Sequence, residues 1–287
     1  MENFYKYADL KGSGFHNPHP YMPQHPARIA IVGGSGYGKT NLLLNQMWKG
    51  DNIDKVYVCA KDTKEPLYRL LGKLPKNAVK LVEEIDKVPE VDRFKGDKQI
   101  QVVFDDFVTD AAAQPKILEF FVRARKKNIT PVYIAQAWTP IPKNIRLQLT
   151  DIFLAGIQSN SELRRIIRDF SLGVDIATLS KMYHEATRNH MDFFHIDLRD
   201  AKGHQFRKNF EYYFDLSHKP IVLRRIGEKE SSGSVMHPHS KSITKSQNHH
   251  VIRGAYRSRE KRSAASRRYS RSSSGGAENE DISEESE

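Results

Sequence analysis

Gly33-Gly34-Ser35-Gly36-Tyr37-Gly38-Lys39-Thr40 lies between an apolar run, Ile29-Ala30-Ile31-Val32, and a segment with helical spacing over residues 39–48. The eight residues fit Gly-x-x-x-x-Gly-Lys-Ser/Thr, and each residue type has a physical reason. Glycines let successive backbone N–H groups curl around an anion where a Cβ would stand in the way. The helix after the loop turns its positive end toward the same anion. Lys39 adds a mobile cation for the β- and γ-phosphates, and the Thr40 hydroxyl is an oxygen ligand for Mg²⁺. Strand, glycine-rich turn and helix in this order predict an α/β fold whose turn takes ATP with Mg²⁺.

Outward from the loop, short apolar runs at 28–32, 55–59, 100–104, 132–135 and 152–156 read as strands buried on both faces of a parallel sheet. Helical patterns over 39–48, 66–71, 112–127, 162–170 and 176–188 alternate with them. That alternation predicts a mostly parallel sheet with helices on both faces. Residues 191–198 and 205–214, on either side of Asp200-Ala201-Lys202-Gly203, read as a hairpin at one edge.

Val102-Val103-Phe104 runs straight into Asp105-Asp106. At the end of an apolar strand, one carboxylate can reach Mg²⁺ and the next can polarise an attacking water. Adjacent side chains on an extended strand point to opposite faces, so both serve one site only if the chain turns there. Asp105 is therefore expected at the metal and Asp106 at the water, with Asp110 and Gln136 as competitors for the second task. Gln136 ends the next strand, where an amide can hydrogen-bond the γ-phosphate or the water. Between these two strands the helical pattern ends in Arg123, Arg125, Lys126 and Lys127. Such cations complement a helix C-terminus, or one of them reaches a neighbouring subunit's nucleotide as an arginine finger. Both readings stay open, and Arg146 is a second finger candidate.

The chain has 287 residues, 38% of them hydrophobic, and a net charge of +11. Residues 227–287 hold 11 Lys and Arg against 9 Asp and Glu, so +9 of the charge lies in residues 1–226. A basic folded part favours a polyanionic partner. Residues 1–26, with four prolines from Pro18 to Pro26, read as an extended lead-in. Residues 27–226 read as one ATPase domain. Residues 227–287 lose their large apolar side chains and read as a disordered tail, basic around 253–271 and acidic from 278. The basic block can bind DNA backbone or serve as a nuclear address. The lone Cys59 excludes a disulfide framework. There is no secretory signal and no run long enough to span a bilayer, so a soluble intracellular protein with no membrane partner is expected.

The order of these features resembles the FtsK–HerA superfamily of P-loop ATPases over roughly residues 27–215. Within it, the short chain and Ile141-Pro142-Lys143-Asn144-Ile145-Arg146 look like the poxvirus-type genome-packaging ATPases of large DNA viruses, virophages and Polinton-like elements. The resemblance implies a RecA-like fold, with Lys39 and Thr40 on phosphate and Mg²⁺, Asp105 as the Walker B acid, Gln136 as sensor and Arg125 as finger. It also implies a homo-oligomeric ring that pumps double-stranded DNA into a preformed capsid, with capsid proteins as further partners, where virus assembles in a host cell. The family usually has Glu second in the acid pair; Asp106 is one methylene shorter. The rival readings are another P-loop enzyme, a helicase or a nucleotide kinase whose lid would use Arg164, Arg165 and Arg168, or a non-catalytic DNA-binding scaffold.

Overall fold

The phosphate-loop strand lies inside a ten-stranded sheet rather than at its edge. A computed structural model describes residues 21–50, 53–74, 78–157, 159–200 and 203–227. Residues 1–20 and the tail from 228 onward, including the basic and acidic blocks, lie outside the described residues.

In chain order the elements are β1 (Ile29–Val32), α1 (Lys39–Gly50), β2 (Lys55–Ala60), α2 (Pro66–Gly72), β3 (Val79–Val82), β4 (Ile100–Asp105), α3 (Gln114–Arg123), β5 (Ile129–Ala135), α4 (Lys143–Arg146), β6 (Asp151–Leu154), α5 (Asn160–Asp169), α6 (Ile176–Ala186), β7 (Phe194–Asp197), β8 (Phe206–Lys208), β9 (Tyr212–Asp215) and β10 (Val222–Arg225). The strand order is β10-β9-β8-β7-β6-β1-β5-β4-β2-β3. From β6 to β3 every neighbouring pair is parallel, and from β6 to β10 every pair is antiparallel. This is the mostly parallel α/β sheet with helices on both faces that the sequence predicts.

The parallel strands carry apolar side chains on both sides, because helices cover both faces. All four residues of β1 and all seven of β5 are buried. On one face Leu42, Leu43 and Met47 of α1 and Tyr68 and Leu71 of α2 pack against Ile29, Ile31, Val58 and Val132. On the other, Ile117, Phe120 and Phe121 of α3, Leu163 and Ile166 of α5, and Leu179 and Met182 of α6 pack against Ala30, Val102, Phe104 and Ile152. Each such large side chain contributes roughly 1.5–3 kcal/mol when fully buried.

The structure departs from, or adds to, the sequence reading in several details. The helix expected over 112–127 is α-helical only to Arg123, then tightens into a 3₁₀ turn over Ala124–Lys127. Asn128 ends it in the left-handed region at φ 54°, its amide donating to Gly96 O at 2.5 Å. The expected second hairpin arm is two strands: β8 pairs with β7 and with β9, and Asn209, also left-handed at φ 55°, begins the turn between them. Residues 21–26 are packed onto the domain: Met22 is buried, and Tyr21 O and Gln24 O accept hydrogen bonds from Arg207 and Arg199.

Candidate nucleotide site

Parallel pairing puts the C-terminal ends of β1, β5 and β4 on one edge, with Val32 opposite Ala135 and Asp105 opposite Ile134. The segments leaving these strands therefore converge: Gly33–Thr40 after β1, Gln136 after β5, and Asp105-Asp106 at the end of β4. A crevice outside the carboxyl ends of such strands is where open α/β sheets bind ligands. Here a cleft of about 460 Å³ is lined by Gly38, Lys39, Thr40, Asp105, Asp106 and Gln136, among others.

The loop is anchored at its start. Gly33 N donates to Ala135 O at 3.1 Å and Gly34 N to Gly156 O at 2.8 Å. A Cβ at Gly33 would stand 2.8 Å from the Ala155 Cβ, so only glycine allows this approach. Gly36 and Gly38 take φ of +79° and +81°, where an L side chain is strained. Ser35 and Tyr37 are exposed beside them. Lys39 is half-buried at the start of α1, its ammonium donating to Gly34 O at 3.0 Å. Burial lowers the Lys39 pKa, and Asp105, Asp106 and Glu65 each oppose that shift.

The acid pair meets the condition the sequence imposes. Asp106 has φ 62°, so the chain turns as β4 ends. Asp is one of the few residues that tolerates this region. The turn lets both carboxylates line the cleft. Burial pushes the Asp105 carboxyl up to about 6, against the hydrogen bond from the Tyr68 hydroxyl that favours its charged form. Gln136 is exposed and also lines a second cavity of about 290 Å³ with Gly34, Ile157, Ser159 and Glu162.

Asp110 is committed elsewhere, accepting from Lys61 Nζ at 2.5 Å and from Ala113 N at 3.1 Å. The arginines separate clearly. Arg123 is held by both oxygens of Asp92 at 2.8 Å and by Glu119. Arg146 is buried against Asp169 and lies over the Trp138 ring. Arg125 is exposed. It precedes β5, whereas Gln136 comes after it, so the seven-residue strand puts ~20 Å between Arg125 and its own cleft at ~3.3 Å per residue. Arg164, Arg165 and Arg168 do not line the cleft.

Glu65, which lines the cleft, and Tyr68, buried behind it, escaped the sequence reading. The Glu65 carboxylate accepts from the Thr40 hydroxyl at 3.3 Å, and the Tyr68 hydroxyl donates to Asp105 Oδ2 at 2.6 Å. Neither belongs to a motif. Their signal is positional: both come after β2, one strand from β4 on the same carboxyl edge.

The donor set fits Mg²⁺, because Thr40 and Asp105 offer hard oxygens. Mg²⁺ keeps several waters and needs only one or two carboxylates beside a nucleotide's phosphates. Among the described residues, no group of three or more His, Cys, Asp or Glu is placed to hold a metal. Also among the described residues, no helix is long and apolar enough to cross a membrane.

No family model matches the chain, and no curated protein does. Its fold is similar to solved structures of low identity. One is the genome packaging NTPase B204 from Sulfolobus turreted icosahedral virus 2 in complex with AMP: 13% identity, TM-score 0.48, covering 64% of this chain and 96% of that one. Others are EssC from Geobacillus thermodenitrificans, at 16% identity and TM-score 0.40 over 52% of this chain and 36% of that one, and the type VII secretion ATPase EccC of Thermomonospora curvata, at 13% and 0.44 over 66% and 25%.

Proposed function

We propose that the chain is an ATP-hydrolysing motor that moves double-stranded DNA, and that it packages a viral genome into a capsid. The observation that carries the ATPase reading is the convergence of Lys39, Thr40, Asp105, Asp106 and Gln136 on one cleft, from the loops after β1, β4 and β5. The DNA reading rests on the basic charge of residues 1–226 and on the resemblance of the motif order to the FtsK–HerA ATPases.

In this reading the N–H groups of Gly34–Lys39 and the Lys39 ammonium hold the phosphates. Thr40 and Asp105 would hold Mg²⁺, which when bound would offset the charge that develops on the phosphates. Asp106 orients a water and takes its proton as the water oxygen attacks the γ-phosphorus. The bond to the bridging oxygen breaks and ADP leaves with its electron pair. The Gln136 amide hydrogen-bonds the γ-phosphate oxygens. Arg125 is exposed at the far end of β5 from its own cleft, which supports a role at the nucleotide of the next subunit in a ring. Such fingers are worth roughly 10³–10⁵ in turnover elsewhere.

The test is steady-state ATP hydrolysis by the full chain, alone, with duplex DNA and with nucleoside monophosphates. Stimulation by duplex DNA is the expected result. Phosphoryl transfer to a monophosphate would make the chain a kinase, and no turnover under any condition would make it a scaffold.

A further inference from the structure

We propose that Glu65 and Tyr68, three residues apart at the start of α2, are positioning residues that set the Thr40 hydroxyl and the Asp105 carboxylate in the orientation that takes the nucleotide's Mg²⁺. The inference rests on the ATPase reading and adds residues that the phosphate loop and the acid pair do not contain.

The fold explains why these two residues reach the site. β2 pairs with β4 along its whole length, with Ala60 opposite Asp105. The chain leaving β2 therefore emerges beside the acid pair. Pro66 opens α2, its ring suited to a first helical turn where no N–H is needed. Glu65, just before the helix, and Tyr68, in its first turn, both reach back to that edge, to Thr40 and to Asp105. Glu65 precedes the helix yet makes no side-chain cap to it. Its carboxylate instead takes the Thr40 hydroxyl at 3.3 Å.

Hydrogen-bond inventory gives the contacts a purpose. A hydroxyl has one hydrogen and two lone pairs. With the hydrogen spent on Glu65, the lone pairs of Thr40 Oγ1 are left for a cation. A hydroxyl hydrogen aimed at the cation would repel it. Tyr68 does the complementary task for Asp105. Its side chain is wholly buried, so packing fixes the hydroxyl, and that hydroxyl occupies Oδ2 at 2.6 Å. Oδ1 is left as the metal-facing atom. A buried tyrosine needs a partner for its O–H, and the Asp105 carboxylate is that partner. Groups that orient ligands in this way set metal affinity nearly as strongly as the ligands themselves.

Calorimetry on the full chain tests this with a readout independent of turnover. Adenylyl imidodiphosphate is first titrated in EDTA, and Mg²⁺ is then titrated into the nucleotide complex, for wild type, Glu65→Ala and Tyr68→Phe. Metal-free nucleotide affinity should stay within about threefold of wild type, while Mg²⁺ affinity falls by ~10–100-fold. Mg²⁺ affinity within about threefold of wild type in Glu65→Ala overturns the proposal, as does loss of metal-free nucleotide binding in that variant. Glu65 is only partly buried, so Glu65→Ala decides the matter even if Tyr68→Phe does not fold. Wild type that binds no nucleotide overturns the ATPase reading itself and the inference with it, an outcome distinct from a variant that merely matches wild type.

Discussion

Arg146→Ala is expected to act through stability, although the sequence offers Arg146 as an arginine-finger candidate. Arg146 is 5% exposed. It pairs with Asp169, and their side chains are 6% and 9% exposed. Asp169 Oδ2 also accepts from Trp138 Nε1 at 2.9 Å, and the guanidinium lies 5.5 Å from the Trp138 ring centre. Alanine therefore strands a buried carboxylate and removes a packed cation. Breaking a buried pair from one side costs about 3–5 kcal/mol. For a domain of roughly 200 residues each kcal/mol is worth about 2–4 °C, so the midpoint should fall by roughly 6–20 °C. Asp169→Asn in the same chain removes the stranded charge and should return part of the loss. Arg125→Ala, at an exposed position, should stay within about 0.5 kcal/mol of wild type. Differential scanning calorimetry without nucleotide reads all three. An Arg146→Ala midpoint within about 2 °C of wild type would show that the pair with Asp169 carries little of the stability.

Asp106→Asn should bind ATP normally and hydrolyse it about 10²–10⁴-fold more slowly in a single turnover; a near-wild-type rate would move the search to Gln136, since Asp110 is tied to Lys61. Mixing Arg125→Ala with Lys39→Ala subunits should recover activity that neither has alone, because an intact finger then meets an intact loop; no recovery in confirmed mixed oligomers counts against a trans role. The Asp105 carboxyl is raised from 3.8 to about 6, chiefly by burial, so the stability its protonated form contributes is complete below 3.8 and lost as pH rises through about 6. Asp105→Asn should therefore be more stable than nucleotide-free wild type near pH 8, with the gap closing toward pH 4; a gap independent of pH would show that the carboxyl titrates normally.

The central strands were legible because burial on both faces writes itself as an unbroken apolar run. The sheet edges were not. β3, Val79-Lys80-Leu81-Val82, buries only its first and last residues. β10, Val222-Leu223-Arg224-Arg225, buries none of its four. Short, charged edge strands protect a sheet from further pairing, and that same property removes the apolar signal. β5 was read three residues short, since Pro131 lies inside a central strand where proline is uncommon.

For the site, the eight-residue loop and Asp105-Asp106 are legible because their chemistry constrains consecutive residues. Glu65 and Tyr68 are not, because their relation to Thr40 and Asp105 exists only once β2 lies beside β4. Sequence likewise ranked Arg125 and Arg146 as two candidates for one role. Only packing separates them, since Asp169 lies 23 residues beyond Arg146.

If Gly33–Thr40 binds ATP through Lys39, isothermal calorimetry of ATP with Mg²⁺ on the full chain and its Lys39→Ala variant should show it. Wild type should bind saturably and the variant should lose most of that affinity, with its melting temperature unchanged because the half-buried Lys39 carries no part of the core. Equal affinity in the two proteins, or no binding to the folded wild type, would contradict ATP binding through Lys39.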